Sequence, residues 1–348
     1  MTFDFCSFFN TWLFCSVLNW FFGKIIQGQD HQGRFRHGFL TFLYWMIIFR
    51  LLLPANLIYG IPNPFHLYFH QIDRFLSSPF PDVMLTPYGL FSYIWLAGAA
   101  YALLKFHQGR QQEKEVGKGL FSRSETTTVK ALIPDYEGPD YEVILSPDIE
   151  TPFVYGFSRR ILIPKNCYSE ETLYYILCHE TMHLFNQDVY YLYLTQILTR
   201  IYWWMPGISS LKKNAASMVE LRVDGMLMDL YPDKDLIGYC EALLQVAHPD
   251  INPWKNGLGY QNAYIGHTEM LYPPITLENK PEAVRDDDPL SSLEVLAFGE
   301  PNTDLKTRIS YNLSAHETPP THLFYYAAVL AFCLLSFGSF GLHQLFPF

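Results

Sequence analysis

Four apolar stretches of the chain contain almost no charge. Arg50 is the one charged residue inside the second of them. A helix that crosses the hydrocarbon core of a bilayer needs about 20 apolar residues. The pattern therefore predicts four transmembrane helices, at about residues 5–22, 38–59, 87–106 and 324–343.

The distribution of lysine and arginine predicts the orientation of these helices. Basic residues are concentrated in the loops that follow the first and third helices, whereas the loop at 60–86 has only Arg74. Cytoplasmic loops carry the excess of basic residues. We therefore expect residues 107–323 in the cytoplasm, and the N-terminus and the tail 344–348 outside. Asp4, with no basic residue near it, disfavours a cleaved signal peptide as an alternative for the first helix.

Residues 107–323 carry the pattern of a folded α+β domain. The polar stretch 107–141 predicts a linker that leaves the membrane. Two β-rich runs, Val143–Leu145 and Arg160–Ile163, are separated by turn-forming residues and predict a small sheet.

Three helices are expected after these strands. Ser169, followed by two glutamates, is typical of a helix start. Residues 189–204 are amphipathic and aromatic, which favours a helix at the membrane interface. A further helix is expected at about Ser209–Leu230, and the Pro- and Gly-rich stretch 248–290 predicts irregular structure.

The sequence LCHETMHLF places His179 and His183 one helical turn apart. Positions i and i+4 lie on one face of a helix, so both imidazoles can point at one ion. Glu180 lies about 100° round the helix from His179, within reach of a water molecule at that ion. Two imidazoles, a third protein ligand and a position for water are typical of a catalytic zinc site. In this pattern the glutamate is the general base.

A second predicted helix carries an acidic pair at the same spacing, Glu220 and Asp224. Two carboxylates one turn apart destabilise a helix unless a positive group lies nearby. A zinc ion together with a histidine N–H would supply that positive charge. The alternative is a solvated helix face balanced by Arg222.

Composition narrows the function further. A net charge of −10 argues against nucleic-acid binding, which needs a basic surface. The 6 cysteines are scattered and form no CxxC pair, so neither a disulfide framework nor a thiolate zinc site is supported. Charged residues make up 17% of the chain, fewer than in a typical soluble domain, which agrees with a lipid bilayer as partner.

Five motifs follow one another along the chain, and their order matches that of a known family. They are TPFVYGFSRRILIP, HETMH with Asp188 five residues on, an aromatic helix ending in WWMP, ELRVD, and LAFGEPNTDLKTRIS. In this order they resemble the membrane-bound zinc metallopeptidases of the BlaR/MecR antibiotic-sensing type. The resemblance covers nearly the whole chain, because that family places three spans before its cytoplasmic protease and one after it. It implies an α-helical membrane protein with a gluzincin-like α+β zinc metalloprotease domain.

The resemblance also implies roles for individual residues. His179, His183 and Glu220 would bind one zinc ion per chain, with Glu180 as the general base. Asp224 would accept a hydrogen bond from a ligand histidine, through the ring nitrogen that does not bind zinc. The region before the last span would be a site of self-cleavage, with an inhibitory loop as the alternative.

Two features depart from the family pattern. Met205-Pro206 stands where the family often has Asn-Pro. The sequence given ends at Phe348, without the large penicillin-binding sensor domain of the sensor members. We therefore expect no direct β-lactam sensing by this chain.

A substrate peptide would bind in extended form along the edge of the small sheet. An ordinary hairpin is the alternative for that segment. Tyr239, His248 and His267 are candidates for a group that polarises the substrate carbonyl, and each has a plain surface or core role as its alternative. Arg50 is expected either to couple the spans to the protease or to serve a structural role. The candidate edge comprises Thr151, Pro152, Phe153, Val154, Tyr155 and Gly156.

We expect a membrane-anchored zinc endopeptidase that faces the cytoplasm, cleaves a cytosolic repressor-like protein and transmits a signal. A catalytically silent zinc-fold signalling or scaffold protein is the alternative, which the intact Glu180 disfavours. An intramembrane protease would need HExxH inside a charge-free span, whereas Glu170 and Asp188 flank it here. A homo-oligomer is compatible with the sequence.

Overall fold

A computed structural model gives the structure of the chain. The structure describes residues 5–27, 37–55, 58–59, 66–80, 85–134, 136–165, 167–230, 236–247, 305–314, 323–336 and 338–339.

Helices dominate the described residues. In chain order they are α1 (Phe5–Gln27), α2 (His37–Leu52), α3 (His66–Ser77), α4 (Pro87–Phe121), α5 (Val129–Leu132), α6 (Glu170–Asn186), α7 (Asp188–Ile201), α8 (Ser209–Leu230), α9 (Leu236–Ala247), α10 (Leu305–Ser314) and α11 (Leu323–Ser336).

Six short strands accompany the helices in the described residues. They are β1 (Ile58–Tyr59), β2 (Glu125–Thr128), β3 (Glu142–Ser146), β4 (Phe153–Tyr155), β5 (Arg160–Pro164) and β6 (Gly338–Ser339).

The chain divides into two compact units. The first contains Met1–His107, Tyr190–Gly225 and Lys306–Phe348, and the second contains Gln108–Val189 and Met226–Leu305. The segment Tyr190–Gly225, expected in the protease domain, thus groups with the apolar helices.

Polar contacts explain why α7 and α8 group with α1 and α2. The hydroxyl of Tyr44 on α2 donates to the carbonyl of Tyr191 at 2.8 Å and lies 3.0 Å from the hydroxyl of Thr195. The Asn214 amide on α8 donates to the backbone and side-chain oxygens of Asn19 on α1, at 3.1 and 2.8 Å. Hydrophobic periodicity gives no sign of such pairs, which is why the sequence did not predict this grouping.

The predicted second span is wrong in its length. Helix α2 ends at Leu52, two residues before Pro54. Proline lacks a backbone N–H and disfavours helical conformation in the residue before it. Among the described residues one helix, α4, is long and apolar enough to cross a membrane by length and composition, while α2, α9 and α11 are apolar but shorter. Four transmembrane helices stay a prediction.

The second unit contains the small sheet that the sequence predicted. Its strand order is β2-β3-β5-β4, with β3 parallel to β5 and the two outer strands antiparallel to their neighbours. Both β-rich runs of the sequence lie within β3 and β5, so the predicted sheet is confirmed. Its apolar face packs around Leu120, Ile144, Ile149, Phe153 and Leu162.

The predicted linker at 107–141 is wrong. Helix α4 continues to Phe121, and β2 and α5 follow it. Of the 14 residues from 108 to 121, 8 are Gln, Glu, Lys or Arg, all good helix formers, and they outweigh the three glycines of this stretch. Polarity here therefore marks a solvated helix surface instead of an irregular segment. The stretch 248–290, expected to be irregular, lies outside the described residues.

Candidate metal centre

The helix that carries the HExxH motif begins where the sequence predicted. The hydroxyl of Ser169 accepts a hydrogen bond from the backbone N–H of Thr172 at 3.1 Å, which caps α6. Glu170 and Glu171 lie in its first turn, where acidic side chains are stabilised by the helix dipole. The helix ends before Gln187, which adopts a left-handed conformation with φ 57°.

The two histidines of α6 turn the same ring nitrogen toward one point. The Nε2 atoms of His179 and His183 lie 3.0 Å apart. Both residues are buried, with 7% and 1% of their surface exposed. Two neutral imidazoles can present their lone pairs to one place only if a cation or a shared proton lies there.

Each histidine has a fixed partner on its other nitrogen. Nδ1 of His183 lies 2.7 Å from Oδ2 of Asp188, and Nδ1 of His179 lies 2.9 Å from the hydroxyl of Tyr239 on α9. An Nδ1–H that donates to these oxygens leaves Nε2 as the lone-pair nitrogen in both rings. Histidine ligands of metals characteristically have such an outer hydrogen bond, which fixes the tautomer and the ring orientation. The arrangement within the second unit therefore fits a metal ion shared by the two rings.

Glu180 lies beside the histidine pair and is also buried, with 6% exposure. Tyr168 comes just before α6, and burial raises the pKa of its phenol above the ordinary value. The charges of Cys167 and Glu180 contribute to the same shift of this pKa. Tyr168 is therefore a neutral O–H group within electrostatic range of the glutamate.

The acidic pair of α8 is buried in the first unit. Glu220 is 3% exposed and Asp224 is 0% exposed. Arg308 on α10 bonds both of them, with Nη1 at 2.9 Å from Oε2 of Glu220 and Nη2 at 2.7 Å from Oδ1 of Asp224. The role of this arginine cannot be predicted from the sequence, because nothing in the local pattern of LKTRIS connects it to ELRVD.

The alternative of a solvated face balanced by Arg222 is wrong. Arg222 is itself buried, with 7% exposure, and its guanidinium lies 4.5 Å from the ring centroid of Tyr191. Burial lowers the pKa of Arg222 to about 10, and the charge of Tyr44 opposes this shift. The side chain thus stays charged at neutral pH.

The candidate substrate segment lies at an edge of the sheet in the second unit. Of the predicted residues, Phe153, Val154 and Tyr155 form β4, which pairs with β5 and is the last strand in the sheet order. Thr151 and Pro152 precede the strand, and Gly156 follows it with φ 47°. Strand β4 also packs against α6.

Of the three residues that were predicted as candidates for polarising the substrate carbonyl, the structure describes one. The hydroxyl of Tyr239 is hydrogen-bonded to Nδ1 of His179, with 2.9 Å between the two atoms. His248 and His267 lie outside the described residues.

Arg50 lies near the C-terminal end of α2, where its guanidinium group bonds backbone carbonyls. It donates to the carbonyls of Leu53 and Ala55 at 2.8 and 3.0 Å. These carbonyls lie just past the C-terminus of α2, where a cation stabilises the helix end.

Comparison with known proteins agrees with this geometry. The family described as BlaR1 peptidase M56 matches residues 80–259, more than half of the chain. Regulatory protein BlaR1 of Bacillus licheniformis is 25% identical over 162 residues, which is 44% of this chain and 27% of that relative. The chain thus matches 27% of the length of the curated relative.

A buried HExxH motif whose two histidine rings are held by oxygen partners is typical of metallopeptidase sites. The chain belongs to the BlaR1 peptidase M56 family, whose members are metallopeptidases. The buried imidazoles and carboxylate of His179, His183 and Glu220 are ligands that could bind a metal ion.

Proposed function

We propose that this protein is a membrane-anchored, zinc-dependent endopeptidase with regulatory function. The observation that carries the proposal is the 3.0 Å approach of the two Nε2 atoms on α6, each ring held from behind by an oxygen. In this proposal His179, His183 and Glu220 hold one zinc ion.

Zinc fits this ligand set better than the hard cations Mg²⁺ and Ca²⁺ do. Imidazole suits zinc, copper, iron and nickel, whereas the hard cations Mg²⁺ and Ca²⁺ prefer ligand sets of oxygen alone. A set of two histidines and one glutamate is that of thermolysin-like catalytic zinc sites. The burial of the Glu220 carboxylate, which is 3% exposed, supports it as the third ligand.

Glu180 is the proposed general base. When bound, zinc acts as a Lewis acid that polarises a carbonyl and acidifies water. The Glu180 carboxylate accepts the proton of the attacking water and returns it to the leaving nitrogen. The burial of Glu180 keeps bulk water from this carboxylate, and the neutral O–H of Tyr168 is a group that can donate a hydrogen bond nearby.

The proposed substrate is a polypeptide in extended conformation. Strand β4 is an edge strand, so its outer backbone groups can pair with an added strand. Its packing against α6 supports this mode, because a peptide on β4 would run alongside the HExxH helix. A cytosolic repressor-like protein is the proposed partner, and the chain itself is the second proposed substrate.

Membrane anchorage is supported by exposed apolar side chains in the first unit. On α4, Tyr93, Leu96 and Leu104 are 67%, 58% and 63% exposed, and on α11, Leu323 and Phe324 are 82% and 73% exposed. Apolar surface of this extent on neighbouring turns marks contact with lipid or with another protein. With the lysine and arginine pattern, it supports spans that hold the peptidase at the cytoplasmic face.

The test compares new protein N-termini in cells that express the wild type and cells that express Glu180→Ala. The substitution removes the base and keeps every proposed zinc ligand. New N-termini that appear with the wild type alone would identify the substrate, or the chain itself. Identical sets under several membrane stresses would contradict the endopeptidase and favour the scaffold alternative.

A further inference from the structure

One arginine in the first unit links the two carboxylates of ELRVD. Arg308 uses three of its nitrogens: Nε and Nη2 lie 2.8 and 2.7 Å from the two oxygens of Asp224, and Nη1 lies 2.9 Å from Oε2 of Glu220. The side chains of Arg308, Glu220 and Asp224 are 12%, 5% and 0% exposed. All three charges are therefore largely withdrawn from water.

The geometry of this cluster is directional as well as attractive. The planar guanidinium group matches a carboxylate with two parallel hydrogen bonds, which fixes both planes relative to each other. Asp224 thus sets the orientation of the guanidinium, and the remaining nitrogen sets the position of Oε2 on Glu220. A simple point charge, such as a lysine ammonium, would balance the charge without fixing this orientation.

We propose that Arg308 is a positioning residue for the metal centre. It holds Oε2 of Glu220 and so directs the other carboxylate oxygen, Oε1, toward the ion. Asp224 acts through Arg308, because Asp188 and Tyr239 already occupy the outer nitrogens of the two ligand histidines. This inference rests on the proposed zinc site, since it assigns how one proposed ligand is held.

The opposing explanation is that Arg308 only neutralises two buried carboxylates. Removing one partner of a buried charge cluster destabilises a fold, so loss of folding alone would not separate the explanations. The double variant Arg308→Met with Asp224→Asn removes one positive and one negative charge together. It leaves the local net charge unchanged and retains the ligand Glu220. The guanidinium group that fixes the orientation of the Glu220 carboxylate is removed.

The experiment measures Zn²⁺ affinity by competition with a chelator, using the full chain in detergent micelles. Thermal unfolding of each metal-free variant is recorded alongside. The variants are Arg308→Met, Arg308→Lys and the double variant. Arg50→Met serves as the control, because this buried arginine of the same unit donates to backbone carbonyls.

We expect Zn²⁺ affinity to fall by about 10- to 100-fold in Arg308→Met and in the double variant, the range for groups that orient metal ligands. We expect the metal-free double variant to unfold nearer the wild-type temperature than metal-free Arg308→Met, which leaves two buried carboxylates without their cation. We expect the Zn²⁺ affinity of Arg308→Lys to stay at least about tenfold weaker than that of the wild type. The affinity of Arg50→Met should equal that of the wild type.

Wild-type affinity in the double variant, or tighter binding in Arg308→Met, would overturn the positioning role and leave charge neutralisation. Full recovery by Arg308→Lys would do the same. A wild-type chain that binds no zinc at all would instead overturn the proposed function, so the two failures are distinguishable.

Discussion

Two helices carry the proposed metal ligands, and they are supported in different ways. On α6, His179 and His183 have oxygen partners on Nδ1, one from a carboxylate and one from a phenol. On α8, Glu220 and Asp224 have a cationic partner, Arg308. The first kind of support selects a tautomer, and the second kind balances charge and orients an oxygen.

The difference follows from the chemistry of the ligands. A neutral imidazole can be buried at modest cost, so its partner needs only to fix which nitrogen carries the proton. A buried carboxylate stays charged only with a nearby cation or several hydrogen bonds. The histidine helix can therefore be recognised from a short motif, whereas the carboxylate helix depends on a residue far away in the sequence.

The largest effect on peptide cleavage is expected from a substitution that removes the proposed base on α6 and keeps its metal ligands. Glu180→Gln removes the base and keeps the shape, so peptide cleavage should fall by about 10²- to 10⁴-fold. Bound zinc, measured by elemental analysis of purified protein, should stay at the wild-type level. His183→Ala is the contrast, because it should lose zinc and cleavage together. Undiminished cleavage by Glu180→Gln would show that α6 does not supply the base.

The same comparison shows which parts of the site can be predicted from sequence. The capped start at Ser169 and the spacing of His179 and His183 depend on residues within two helical turns, so the pattern predicts them. Helix α8 also has the predicted bounds, Ser209–Leu230. Arg308 was missed because Asp224, the nearer of its two partners, lies 84 residues earlier, and no local rule predicts which cation reaches a buried pair. Two of the wrong predictions about the fold, the linker and the length of the second span, came from judging polarity or apolarity without helix propensity or proline.

A smaller effect is expected at the carboxylate that supports His183. Asp188→Asn keeps an acceptor for Nδ1–H but removes the charge that makes the imidazole a better ligand. Zinc affinity should fall by about tenfold or more, within the range known for such outer partners. Chelator competition measures the change.

Asp229→Asn is a matched control for Asp188→Asn, since Asp229 is an exposed carboxylate at the end of α8. Its zinc affinity should equal that of the wild type. Equal affinity in Asp188→Asn would mean that this hydrogen bond stabilises the fold without tuning the metal centre.

The phenol that supports His179 should matter less than the carboxylate. Tyr239→Phe keeps the ring contacts of a buried side chain and removes one neutral hydrogen bond, worth about 1 kcal/mol. Zinc affinity should therefore fall by about fivefold, and Tyr190→Phe, at an exposed tyrosine, should leave it unchanged. A larger loss in Tyr239→Phe than in Asp188→Asn would reverse the ranking of the two outer partners.

The smallest effect on the metal is expected at the arginine that is nearest in sequence. Arg222 lies between Glu220 and Asp224 in the sequence, which made it the alternative to zinc as their counter-ion. Its guanidinium lies over Tyr191 instead, so Arg222→Met should lower the unfolding temperature and leave zinc affinity within about twofold of the wild type. A loss of affinity equal to that of Arg308→Met would mean that local charge, and not the directed contact from α10, supports the carboxylates. Unchanged zinc affinity in Arg222→Met would show that the position of Arg308, and not its charge alone, supports the carboxylates, because both arginines carry the same charge.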